Sequence, residues 1–132
     1  MDALPEWPAG TVAVLSTAAG EPHAIPVSTA VRKGPRTVVF ALGLRRESLA
    51  RLREDARCAL TVLAAGDVAL TAVGRASVVE ETERVAIVRL DVEHIQDHGQ
   101  DTFMIDDGVQ WHWTDADAER SDAEVRAALE AT

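Results

Sequence analysis

The chain has 132 residues, 47% hydrophobic and 27% charged, the composition of one globular domain (residues 1–132) and not of a disordered chain. No apolar run reaches the roughly 18 residues of a membrane span. A net charge of −9 opposes nonspecific nucleic-acid binding, and the single cysteine, Cys58, excludes an internal disulfide or a multi-cysteine zinc site.

Met1–Pro5 carries neither the basic region nor the apolar stretch of a signal peptide, so a soluble cytoplasmic protein is expected. Thr11–Thr17 is a short β-branched and apolar run that ends at a turn around Gly20. His23–Val31 then alternates, with Ile25, Val27, Thr29 and Val31 on one face. Pro26 cannot donate to a ladder, which predicts an edge strand or a bulge. After Arg32–Pro35, Thr37–Leu42 reads as a strand apolar on both faces, and therefore buried. Gly43 breaks it, and Glu47–Asp55 turns helical, with Leu49 and Leu52 on one side.

Arg57–Ala64 and Val68–Glu80 follow as strands, the second interrupted at Gly74, which marks a bulge or a close backbone approach. Val85–Ile95 is a sixth strand. A short helix around Glu81–Val88 is the alternative. Thr102–Ile105 and Val109–Thr114 look like a hairpin about Asp106–Gly108. A terminal helix spans about 117–131, with Ser121 and Glu124 spaced as a capping box and Val125 and Leu129 on its apolar face. The expected fold is mainly β (α+β): a small antiparallel barrel with one helix between strands and one at the C-terminus.

Charge is unevenly spread. Residues 32–75 hold nine basic side chains against four acids, whereas residues 76–132 hold four against fifteen. The positive middle is either an anion site or the partner of the acidic tail. Within it, Arg45, Arg46, Ser48 and Arg51 surround the start of a helix, where free N–H groups already carry partial positive charge. Arginines are unfavourable there unless an anion sits between them; a phosphate would accept from the amides, Ser48 and the guanidinium forks. The alternative is that the arginines extend into water.

Other constellations carry less. Ser28 and Thr29 on a bulged edge strand offer polar groups to a flat heterocycle, or simply face solvent. His94 and His98 are spaced for a metal only on a helix, and they fall on a strand end and a loop, so no metal site is expected. Cys58 reads as a small core residue. Trp111 and Trp113, alternating with His112, cap either a cavity, an interface or the core edge.

Gly20-x-Pro22, HAIPVSTAV, TVVFAL, RRESLARLREDARCALTVL and VALTAVGRASVVEE follow one another in an order that resembles the pyridoxamine 5'-phosphate oxidase-like flavin-binding split barrels, over roughly residues 9–114. The resemblance implies a six-stranded split barrel, a homodimer, and FMN or the deazaflavin F420 in clefts between subunits. It implies that Val27, Ser28 and Thr29 line the ring, that Arg45, Arg46, Ser48 and Arg51 hold the phosphate, and that later strands of the partner subunit, through its Trp111 or Trp113, complete the cleft. His23 is a candidate substrate contact. Ser48 stands where the family commonly has a lysine, and Arg46 where it has a serine or threonine. Pyridoxamine phosphate oxidation itself is not expected. Two functions follow: an FMN- or F420-dependent oxidoreductase transferring hydride to a small molecule, or a flavin- or haem-binding module without turnover.

Overall fold

A computed structural model describes residues 1–132. Seven antiparallel strands form one sheet. In chain order they are β1 (Ala13–Thr17), β2 (His23–Val27), β3 (Val31–Gly34), β4 (Thr37–Gly43), β5 (Arg57–Ala64), β6 (Val68–Glu81) and β7 (Val85–Asp97). Helix α1 (Glu47–Glu54) joins β4 to β5, and α2 (Ala116–Ala131) ends the chain. The sheet order is β2-β1-β5-β6-β7-β4-β3.

Seven strands replace the expected six, and the sheet does not close. His23–Val31 is two strands, because the chain turns a corner at Ser28–Ala30. There the Thr29 hydroxyl accepts from the Ala41 amide of β4 at 3.0 Å, taking the place of a strand partner. β2 and β3 are therefore the two edges of the sheet, and Pro26 lies on an edge as its missing N–H requires.

Alternation builds the core. Leu15, Leu60, Val62, Leu70, Val88 and Leu90 are fully buried on the inner face, with Phe40 of β4 among them. Leu49 and Leu52 seat α1 on the same core. β4 and β7 are apolar on both faces for a second reason. Val39 and Ile87 point outward and are covered by Leu129 of α2, with Val125 and Ala128 packed alongside.

Gly74 sits at a register shift between β6 and β7. A Cβ there would lie 2.0 Å from the Asp91 carbonyl oxygen, so close backbone approach excludes any side chain. No short helix forms near Glu81; β6 and β7 meet at a tight turn held by Thr82 accepting from the Arg84 and Val85 amides.

Two expectations near the C-terminus are corrected. Thr102–Thr114 forms no hairpin but an irregular segment laid over β1 and β5. Its anchors are tertiary: the Ile105 amide donates to the Asp67 carboxylate at 2.9 Å, and Trp111 donates its indole N–H to the Gly10 carbonyl at 2.8 Å. Gly108 answers a close approach, since a Cβ would stand 2.8 Å from the Leu63 carbonyl oxygen. The terminal helix begins at Ala116, capped by the Asp115 carboxylate accepting from the Ala118 amide. Ser121 is thus inside the helix, and its hydroxyl meets the Arg84 guanidinium. No helix is long and apolar enough to cross a membrane.

Candidate functional site

The corner between β2 and β3, the end of β4 and the N-terminal half of α2 enclose a cleft of about 410 Å³, within the range of small-molecule sites. Ile25–Thr29 form one wall and Ala41–Gly43 the floor. Arg46 and Arg84 stand at its basic end, and Trp113, Ser121, Asp122 and Val125 form the opposite wall. Local chemistry explains the placement. Gly43 ends β4, the Leu44 amide donates to the Arg84 carbonyl, and the Arg46 amide donates to Gly43. The turn that starts α1 is thereby pinned beside the turn that starts β7.

Arg46 is the N-cap of α1 in extended conformation, and its side chain makes no capping bond, ion pair or other hydrogen bond. Its guanidinium is free at the cleft. Thr29 is committed to β4 through its hydroxyl, and the Ser28 carbonyl accepts from Arg126 at 2.9 Å, whereas the Ser28 hydroxyl makes no hydrogen bond within the chain. Asp122, the one carboxylate lining the cleft, is paired with Arg126 at 2.7 Å.

The structure therefore brings Val27, Ser28, Thr29 and Arg46 together and places the other four candidates elsewhere. Arg45 is exposed and does not line the cleft. The Arg51 side chain is only 12% exposed. It donates to the Ala19 and Glu21 carbonyls at 2.7 and 2.8 Å and pairs with Glu47, clamping the β1–β2 turn to α1. Ser48 is 1% exposed and hydrogen-bonded to His23 Nε2 at 3.0 Å. His23 Nδ1 lies 3.7 Å from Glu47. This order of serine, imidazole and carboxylate has the outline of an activated nucleophile, but the hydroxyl is sealed from solvent and the carboxylate is beyond hydrogen-bond reach. The cluster ties β2 to α1.

Trp111 lines a separate hollow of about 340 Å³ with Pro8, Gly10 and Asp107, which contains no basic residue. It meets Trp113 edge to face, with centroids 5.2 Å apart, and so buttresses the tryptophan that reaches the cleft. Cys58 is buried, which pushes its thiol up to about 12 and removes it from nucleophilic chemistry.

Sequence reading missed Arg84, Ser121 and Asp122. Arg84 carried a faint signal, as the single base after Glu80, Glu81 and Glu83. Ser121 was disguised by its capping-box spacing.

An open antiparallel split barrel with a ligand-sized cleft at the strand-to-helix junction defines the class. A family model described as pyridoxamine 5'-phosphate oxidase matches residues 2–128, and the chain belongs to that family. No curated protein matches it. Among solved structures, the chain is similar to the HupZ protein of Group A Streptococcus (12% identity, 76% of this chain and 90% of that one, TM-score 0.60). It is also similar to a FAD-binding protein of Mesorhizobium loti (12% identity, 64% and 81%, TM-score 0.54). A third is a heme binding protein of Mycobacterium smegmatis (17% identity, 66% and 48%, TM-score 0.55). At these identities the likeness shows the fold.

Proposed function

We propose that the chain binds a flavin, FMN or F420, in the cleft beneath α2 and serves as an oxidoreductase acting on a small molecule. One observation carries the reading: the cleft places the Val27–Thr29 strand end beside the unpaired guanidinium of Arg46. The apolar walls suit a flat ring, and Arg46 suits its anionic tail. A bound flavin supplies hydride transfer. The chain's own residues bind, orient and exclude water: Val27 and Trp113 shield the ring, the Ser28 hydroxyl is free to bond its edge, and Arg46 fixes the tail. No acid or base from the chain is required.

The alternative, a module that holds flavin or haem without turnover, draws support from the haem-binding and FAD-binding structures of the same fold. For haem the cleft is poorly equipped. No His, Cys, Met or Tyr lines it, and these are the side chains that ligate haem iron. The same reading makes the protein a homodimer.

Titrating purified protein separately with FMN, F420 and haemin tests the assignment. Saturable flavin binding is expected, followed by reduction of the bound flavin by NADPH or of substrate by reduced F420. A Soret band with no flavin affinity would overturn the flavin reading, and flavin binding without reduction by any donor would leave the binding module.

A further inference from the structure

Arg84 is the second basic residue at the cleft and, like Arg46, it has no carboxylate partner. With 22 acids present, most exposed arginines find a carboxylate: Arg53 pairs with Glu81, Arg57 with Asp55, Arg75 with Glu93 and Arg89 with Asp91. Arg84 has Glu83 beside it in sequence and Glu124 in the groove on its far side, yet forms an ion pair with neither. Its one side-chain partner is the neutral hydroxyl of Ser121, which lines the same cleft from α2. Its backbone carbonyl holds the Leu44 amide, so the turn bearing Arg84 and the turn bearing Arg46 are fixed to each other.

We propose that Arg84 is a second anion-gripping residue of the cleft. Ser121 holds its guanidinium ready at the mouth, and a phosphate monoester or similar dianion is held between Arg84 and Arg46. The proposal rests on the ligand-binding reading given above and deepens it. One guanidinium is enough for a carboxylate; two from separate turns match a doubly charged group with several acceptor oxygens. Asp122, already neutralised by Arg126, does not oppose the anion. The Arg84–Ser121 contact also makes α2 part of the site, because the helix that covers Val39 and Ile87 positions the residue that steadies Arg84.

The experiment compares FMN with riboflavin, which lacks the phosphate, on wild type, Arg84→Ala and Ser121→Asp. The aspartate would bind Arg84 itself and repel phosphate, so it tests the same group without deleting it. Each variant is expected to weaken FMN roughly 10- to 100-fold, the loss of one charged hydrogen-bonding partner, and to weaken riboflavin several-fold less than FMN. FMN affinity equal to wild type in both folded variants would overturn the proposal while leaving the flavin reading intact. Equal losses for FMN and riboflavin would also overturn it, by showing a structural effect. Should wild type bind neither flavin, the flavin reading fails, and inorganic phosphate decides the matter. Phosphate-dependent shifts of the Arg46 and Arg84 Nε–H signals, with the Arg46 shift lost in Arg84→Ala, support a shared anion site. No shift at millimolar phosphate contradicts it.

Discussion

Arg45 and Arg46 are adjacent in sequence and opposite in consequence. Arg46 lines the cleft with no partner, whereas Arg45 points elsewhere. Arg46→Ala is therefore expected to lower FMN affinity by about tenfold or more, as loss of a charged hydrogen bond does, while Arg45→Ala changes it less than about twofold; fluorescence titration checks both. Asp55 gives a prediction of a different kind. Its carboxylate accepts from the Arg57 side chain at 2.7 Å and from the Arg57 amide at 3.1 Å, and these bonds lower it to about 2 from 3.8. A carboxylate depressed by folding stabilises the fold above its unfolded pKa, and the benefit disappears as pH falls through the folded value. The Tm difference between wild type and Asp55→Asn is expected to be present at neutral pH and to shrink steadily between about pH 4 and pH 2. A difference independent of pH would assign the effect to packing.

Among the elements, α2 matters most for the site. Leu129 is fully buried against Val39 and Ile87, and the helix carries Ser121, Asp122 and Val125 to the cleft wall. Leu129→Ala is expected to cost about 2–5 kcal/mol, measured by denaturant melts, and to weaken flavin binding as the wall loosens. The elements that sequence exposed best were those with strict periodicity. The alternation in Arg57–Ala64, the two-sided apolar run Thr37–Leu42 and the Leu49/Leu52 stripe each encode burial locally. Gly74 was legible as a break because a glycine inside a strand needs a reason. The break at Ser28–Ala30 was not legible, since a hydroxyl standing in for a strand partner depends on Ala41, which is far away in sequence. The 102–114 segment misled for the same reason. Asp-Gly after an apolar run imitates a hairpin, but its anchors are Asp67, Gly10 and Leu63. At the site, position near a helix start identified Arg46, polar groups on an edge strand identified Ser28 and Thr29, and the family resemblance added Val27; these four converge, while Ser48 and Arg51 were drawn into contacts with His23, Glu21 and the turn carbonyls that no local pattern announces.

At the scale of the whole molecule, the sheet leaves Val14, Leu63 and Val109 exposed along β1, β5 and the segment laid over them. Apolar side chains grouped in this way mark association surfaces, and we infer that two chains pair there. Sedimentation at micromolar concentration is expected to show a dimer that Leu63→Lys dissociates; a monomer in the wild type would contradict it. The most direct test of the account is a crystal structure of the protein soaked with FMN. It predicts ring density against Val27, Ser28 and Trp113 with the phosphate in hydrogen-bond contact with Arg46. Density in the hollow under Trp111, or none in either place, would contradict it.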